Sequence, residues 1–300
     1  INLNNGNKDS AVVYYSMAVD LTGSADGLFK RGNTFYQSGR LKEALNDLNR
    51  LVQQDSGFQN AYYLRGKIKA AAGNYVSAIY DYKEQFKLFP EFWEAYAACG
   101  NAAFALQQYQ SACNYFEQCN LLHFTDTIAA KTIQSCYESH TYKRGIQLSV
   151  DYKSKMGQEN AMFLKYTGLC SFFEGDYKLA ESTLSEAYKL SPNDFECTYY
   201  LSKIYLIKEQ LDKSKFFADK TLVYCYECPE AAIWNTILSF TSKTPQEPKT
   251  IEDNFKRDSS LISASNLAWI AYGILLTGND SSQYMPAFRI AERKNKNDQT

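Results

Sequence analysis

The sequence predicts an all-α fold, an α-solenoid built from stacked helix-turn-helix units. Three observations predict it. A glycine recurs at Gly32, Gly66, Gly100 and Gly168, with separations of 34, 34 and 68 residues. A small residue recurs twelve positions later, at Ala44, Ala78, Ala112 and Ala180, with Gly145 in the gap, Ala11 before and Ser214 after. Turn-forming triplets separate the two series: Ser38-Gly39-Arg40, Ala72-Gly73-Asn74 and Glu174-Gly175-Asp176. A fixed period of this length marks a repeat architecture in which each unit is one supersecondary element.

Within a unit, Gly39, Gly73 or Gly175 supplies the left-handed residue that ends the first helix. The small residue of the first helix is expected to face the small residue of the second, so that the axes approach at the short end of ~8–10 Å. Tyr15, Leu48, Tyr82, Phe116 and Leu184 follow the second series by four positions. They read as knobs filling the space between neighbouring pairs. Pro90 and Pro192 close two units, because the ring cannot continue the helical ladder. No pair buries its apolar face alone, so neighbours must stack.

Taken in order, residues 10–21 read as a second helix, with Ala11, Tyr15 and Ala18 on one face. Its partner is expected to be missing or shortened. The chain opens at Ile1 with a polar run that lacks the basic start and apolar core of a secretory signal, so a removed leader or a fragment is expected. Full units fall at 25–58, 59–92, 93–126, 161–194 and 195–228, the last with Ser202 and Ser214 at the small positions. Residues 127–160 form a degenerate unit in which Gln134 replaces the glycine and Gly145 the alanine. The solenoid is assigned to 1–241. A polar insertion with Pro245 and Pro248 follows at 242–260, then a helical pair at 261–294 and a tail at 295–300.

These units resemble tetratricopeptide repeats, over at least Ser10 to Pro229. The resemblance implies a right-handed solenoid whose first helices line a concave wall, along which a peptide or helix lies. The wall-facing places are 2, 5, 9, 12 and 13 of each unit. They nominate Asn33, Tyr36, Tyr63, Lys67, Asn101, Phe104, Lys131, Lys165 and Lys203 as peptide-binding residues. Asn amides can pair with both backbone N–H and C=O, and aromatics give large contact area at little entropic cost. The same aromatics could equally pack between repeats, and both readings stay open here. The carboxylate clamp of chaperone-binding members is absent in the register that begins at unit one. There Phe29, Leu64, Glu94 and Ala98 stand where Lys, Asn, Lys and Arg are needed, and Asn33 alone matches.

Composition narrows the function. Over 300 residues, 45% are apolar and 22% charged, the profile of an ordinary globular chain with room for one large domain or two modest ones. Thirty-two basic and 33 acidic side chains leave a net charge of −1, so no global field draws nucleic acid. The longest apolar stretch, Leu267 to Leu276, is about half the ~20 residues a membrane span requires. Eight cysteines scattered through helical patterns point to a reducing compartment and a cytoplasmic location, with a processed extracytoplasmic form as the alternative.

No catalytic motif appears: no phosphate loop, no GxSxG elbow, no HExxH and no dinucleotide fingerprint. His123 and His140 read as exposed or capping residues rather than metal ligands. Cys225-Tyr-Glu-Cys228 has the spacing of a zinc or redox pair, but no second pair completes a tetrahedron, and small apolar packing is the plainer reading. The sequon Asn279-Asp-Ser says nothing by itself, and Arg289, Arg293, Lys294 and Lys296 fit a solvated last helix. The sequence therefore predicts a non-enzymatic protein-interaction module, without cofactor or metal, that binds a protein segment on its concave face. The alternative is a regulatory or assembly arm of a larger enzyme or membrane-anchored complex.

Overall fold

The computed structural model describes residues 8–224; the expected elements at 225–300, including the Cys225/Cys228 pair, the polar insertion and the last helical pair, lie outside them. Among the described residues there are thirteen helices and no strand. The chain divides into two compact units, Ile1–Glu159 and Asn160–Thr300, a division that falls inside the stretch expected to form one solenoid.

In the first unit α1 (Lys8–Thr22) precedes four pairs: α2 (Ala25–Gln37) with α3 (Leu41–Gln54), α4 (Ala61–Ala71) with α5 (Tyr75–Leu88), α6 (Trp93–Ala105) with α7 (Tyr109–Leu122), and α8 (Asp126–Glu138) with α9 (Tyr142–Lys153). The second unit holds α10 (Ala161–Phe173) with α11 (Tyr177–Leu190), and α12 (Phe195–Ile207) with α13 (Leu211–Tyr224). Side-chain caps start many of these helices. Ser24, Asn74, Thr125, Asn160, Asp176 and Asp194 each accept a hydrogen bond from the backbone N–H three residues on.

The small residues sit where the axes cross. Ala44, Ala78, Ala112 and Ala180 are fully buried. The partner of each glycine, however, differs from the expectation. It is the large residue sixteen positions on, in the second helix of the same pair, and not a small one. A Cβ added to Gly32 would stand 2.2 Å from Leu48, one on Gly66 2.6 Å from the Tyr82 ring, one on Gly100 2.6 Å from the Phe116 ring, and one on Gly168 2.6 Å from Leu184. The knob therefore enters a notch within its own pair rather than the gap between pairs. Close approach of two helices needs only one side to be hollow.

The fourth pair corrects the assigned register. α8 and α9 each begin one residue earlier than the 34-residue period requires, and the α7–α8 connection is only residues 123–125. The notch position is then Ile133, fully buried, and not Gln134, while the knob position becomes Ser149, 4% exposed. Large and small have changed helices. In α12 and α13 both positions are small (Ser202 and Ala218), and the Ser214 hydroxyl donates 2.9 Å to the Ser202 carbonyl across the crossing.

The first helices end as expected, with Gly39, Gly73 and Gly175 at φ +75°, +79° and +82°. The equivalent places hold Gln107, His140 and Glu209 at φ +58°, +56° and +58°. A residue with a Cβ loses about 1–2 kcal/mol there, while glycine costs roughly 0.4–1 kcal/mol of unfolded-state entropy. Gln107→Gly should therefore stabilise by about 0.5–1 kcal/mol and raise the melting temperature. A lower midpoint would show that the Gln107 side chain earns its place through a contact.

Candidate functional site

The wall of the first unit is built by helix periodicity acting within the repeat. Residues four apart on a helix share a face, and residues 34 apart share a place in successive units. Places 5 and 9 therefore recur on α2, α4 and α6, which touch in sequence, α2 against α4 and α4 against α6, while the one-residue shift of α8 moves Lys131 off the place 5 assigned to it. Asn33, Lys67 and Asn101 occupy place 9 in three consecutive helices.

Lys67 lies between two rings. Its Nζ is 5.6 Å from the centroid of Tyr36 on α2 and 5.4 Å from that of Tyr63 on its own helix. A cation within about 6 Å of a ring face is attracted by its quadrupole. Among the described residues no carboxylate pairs with Lys67, and Asn33 makes no side-chain hydrogen bond. Asn101 is engaged: its Oδ1 accepts from Lys131 Nζ at 2.6 Å, joining α6 to α8. Partial burial pushes the Lys131 pKa down.

Tyr63 is fixed from behind. α4 is preceded by Asn60, which has a left-handed backbone (φ +68°) and provides no side-chain cap. Instead the buried Gln85 on α5 accepts from the Tyr63 N–H at 3.0 Å, supplying the cap from the neighbouring helix. Phe92 meets the Tyr63 ring edge-on at 5.0 Å. Desolvation raises the Tyr63 hydroxyl pKa, so it stays a neutral donor. Phe104 packs edge-on against Tyr109 of its own pair at 5.0 Å. Tyr36 and Tyr63 pack against the core and flank Lys67 at once.

In the second unit the two nominated lysines are committed internally. Lys165 Nζ lies 2.9 Å from both Asp194 and Glu196. Lys203 is 5% exposed, with its Nζ 4.2 Å from the Tyr199 ring and 5.4 Å from Tyr200. The exposure expected for place 9 is not found at Lys203. The two histidines are exposed and lie in different settings, His123 stacked on Trp93 at 4.3 Å and His140 bonded through Nδ1 to the Tyr142 hydroxyl at 2.6 Å. No group of three or more metal-ligating side chains occurs among the described residues, and none of the described helices is long and apolar enough to cross a membrane.

Sequence reasoning missed the ion pairs that hold the wall up. Arg31 grips Asp47 through Nε at 2.8 Å and Nη2 at 2.7 Å. Arg65 grips Asp81 at 2.9 and 2.7 Å, and Lys69 adds a third contact at 2.7 Å. The signal was present. Each arginine immediately precedes a notch glycine and each aspartate a knob, both repeating at 34 residues.

A sequence model described as tetratricopeptide repeat matches residues 29–86, which span the first two pairs. Residues 29–86 are tetratricopeptide repeats. Over 80 residues the chain is 34% identical to the tetratricopeptide repeat and J domain-containing co-chaperone DNJ1 of Cryptococcus neoformans var. grubii; the match takes in 26% of this chain and only 15% of that one. A tetratricopeptide repeat protein from Parabacteroides merdae superimposes with a TM-score of 0.54 at 13% identity, over 85% of this chain and 99% of that one. The C-terminal part of a repeat-containing protein from Cytophaga hutchinsonii gives 0.54 at 12% identity, over 86% and 98%. These structures support the fold alone. Tetratricopeptide repeats serve as protein-interaction scaffolds, and the fold is generally non-enzymatic.

Proposed function

We propose that the first unit binds an extended protein segment along the wall of α2, α4, α6 and α8, and that the chain performs no catalysis of its own. The observation that carries the reading is Lys67, a cation held between two tyrosine rings with no carboxylate partner among the described residues, beside the unpaired Asn33. Such a position favours an acidic side chain of the ligand. Asn33 and the Asn101–Lys131 pair on either side offer donors and acceptors to its backbone. Lys165 contributes through its ion pairs with Asp194 and Glu196, and Lys203 through packing on Tyr199 and Tyr200, in the second unit. Six buried free thiols among the described residues support a cytoplasmic setting.

A second reading, an arm of a larger assembly, is favoured by the co-chaperone relative, where the matched segment is a small part of a longer chain.

Arrays of extended peptides binned by net charge test the first reading. Acidic peptides should be retained at low salt. Lys67→Ala should weaken them about tenfold, the loss of one charge-assisted contact of about 1.5 kcal/mol. Asn33→Ala combined with Asn101→Ala should weaken all bound peptides, while circular dichroism and melting stay unchanged. Equal binding by wild type and Lys67→Ala would overturn the assignment.

A further inference from the structure

Outside the wall, two sulfurs meet. Cys113 on α7 and Cys136 on α8 lie with Sγ atoms 2.7 Å apart, and both residues are fully buried. The place belongs to the joint between consecutive repeats. One joint earlier the corresponding residues, Ile79 and Ala103, are part of one apolar cluster. We propose that Cys113 and Cys136 are a redox-modification site, oxidised by a peroxide to a disulfide that staples the third helix pair to the fourth.

The surroundings set Cys136 apart from Cys99, Cys113, Cys119 and Cys197, whose thiols are all pushed up. Desolvation drives the Cys99 thiol up to about 12 and that of Cys119 up to about 11, leaving them inert at neutral pH. Cys136 is shifted the other way: the contact with the Cys113 sulfur, helped by Thr141 and the Arg144 cation, favours its thiolate and outweighs desolvation. Arg144 is held near by Glu117 and Asn114 on α7. Hydrogen peroxide is small enough to enter when the joint opens locally.

The chemistry balances within the pair. The Cys136 thiolate attacks one peroxide oxygen, the O–O bond breaks, and hydroxide leaves and takes up a proton as water. Cys113 sulfur then attacks the Cys136 sulfenic acid; the S–S bond forms, the S–O bond breaks, and a second water departs with the Cys113 proton. Two electrons pass from the thiols to one peroxide. The new bond would fix α8, which carries Lys131, against the third pair.

The test uses the reduced full chain, treated with stoichiometric hydrogen peroxide under native conditions, alkylated with N-ethylmaleimide and digested without reductant. A Cys113–Cys136 linked peptide that disappears on dithiothreitol treatment is the expected product, with a melting temperature raised by about 5–10 °C. Cys136→Ser and Cys113→Ser, which preserve size, should each abolish the linked peptide and the shift. Recovery of both cysteines fully alkylated from the peroxide-treated native chain would overturn the proposal. So would a temperature rise that persists in the serine variants.

Discussion

Asp81→Ala should lower the stability of the first unit by about 3 kcal/mol, read as a fall in the urea midpoint. The Asp81 carboxylate is fully buried and holds Arg65 by two hydrogen bonds and Lys69 by a third contact. Removing one partner of a buried pair costs about 3–5 kcal/mol because a charge is left uncompensated. The lower end applies, since the Arg65 and Lys69 side chains are 14% and 20% exposed and can turn toward water. Asp47→Ala should cost less, because among the described residues Asp47 holds Arg31 and no second cation. Equal losses for the two variants would mean that Lys69 adds nothing to the Asp81 site. Asp81→Asn should recover part of the loss by restoring shape and one acceptor but not the charge.

The second large effect concerns the notch. Gly100→Ile should destabilise by about 3 kcal/mol, at the upper end of overpacking, because its Cβ alone would stand 2.6 Å from the buried Phe116 ring. Phe116→Ser by itself should cost roughly 3–5 kcal/mol through the cavity it leaves. Combined, the two changes reproduce the Ile133 and Ser149 arrangement of the fourth pair, where the large residue is on the first helix and the small one on the second. The double variant should therefore lose much less than the sum of the singles. Strict additivity in urea unfolding would show that notch and knob are not coupled. Because a repeat contacts only its neighbours, the cost should stay local to the third pair and the pairs beside it.

Local signals made the fold legible. Left-handed glycines, caps and a 34-residue period are properties of short stretches, and Gly39, Gly73 and Gly175 act where the sequence places them. The fourth pair was misread by one residue. Its left-handed residue is His140, a residue type that does not announce that backbone, and its notch and knob are exchanged. Neither change leaves a glycine to mark the register.

For the wall, periodicity alone put Asn33, Lys67 and Asn101 on one line. It could not tell which side chains were already spent. Lys165 and Lys67 are the same residue type on equivalent first helices, yet Lys165 is neutralised by Asp194 and Glu196 while Lys67, among the described residues, meets two rings and no carboxylate. Among the described residues the sequence by itself determined the helices and their pairing, because these follow from spacing along one chain. Tertiary structure alone decided which knob fills which notch, which lysines keep an available charge, and that Cys113 touches Cys136. Those outcomes depend on distances between residues far apart in sequence, and such distances exist only once the pairs have stacked.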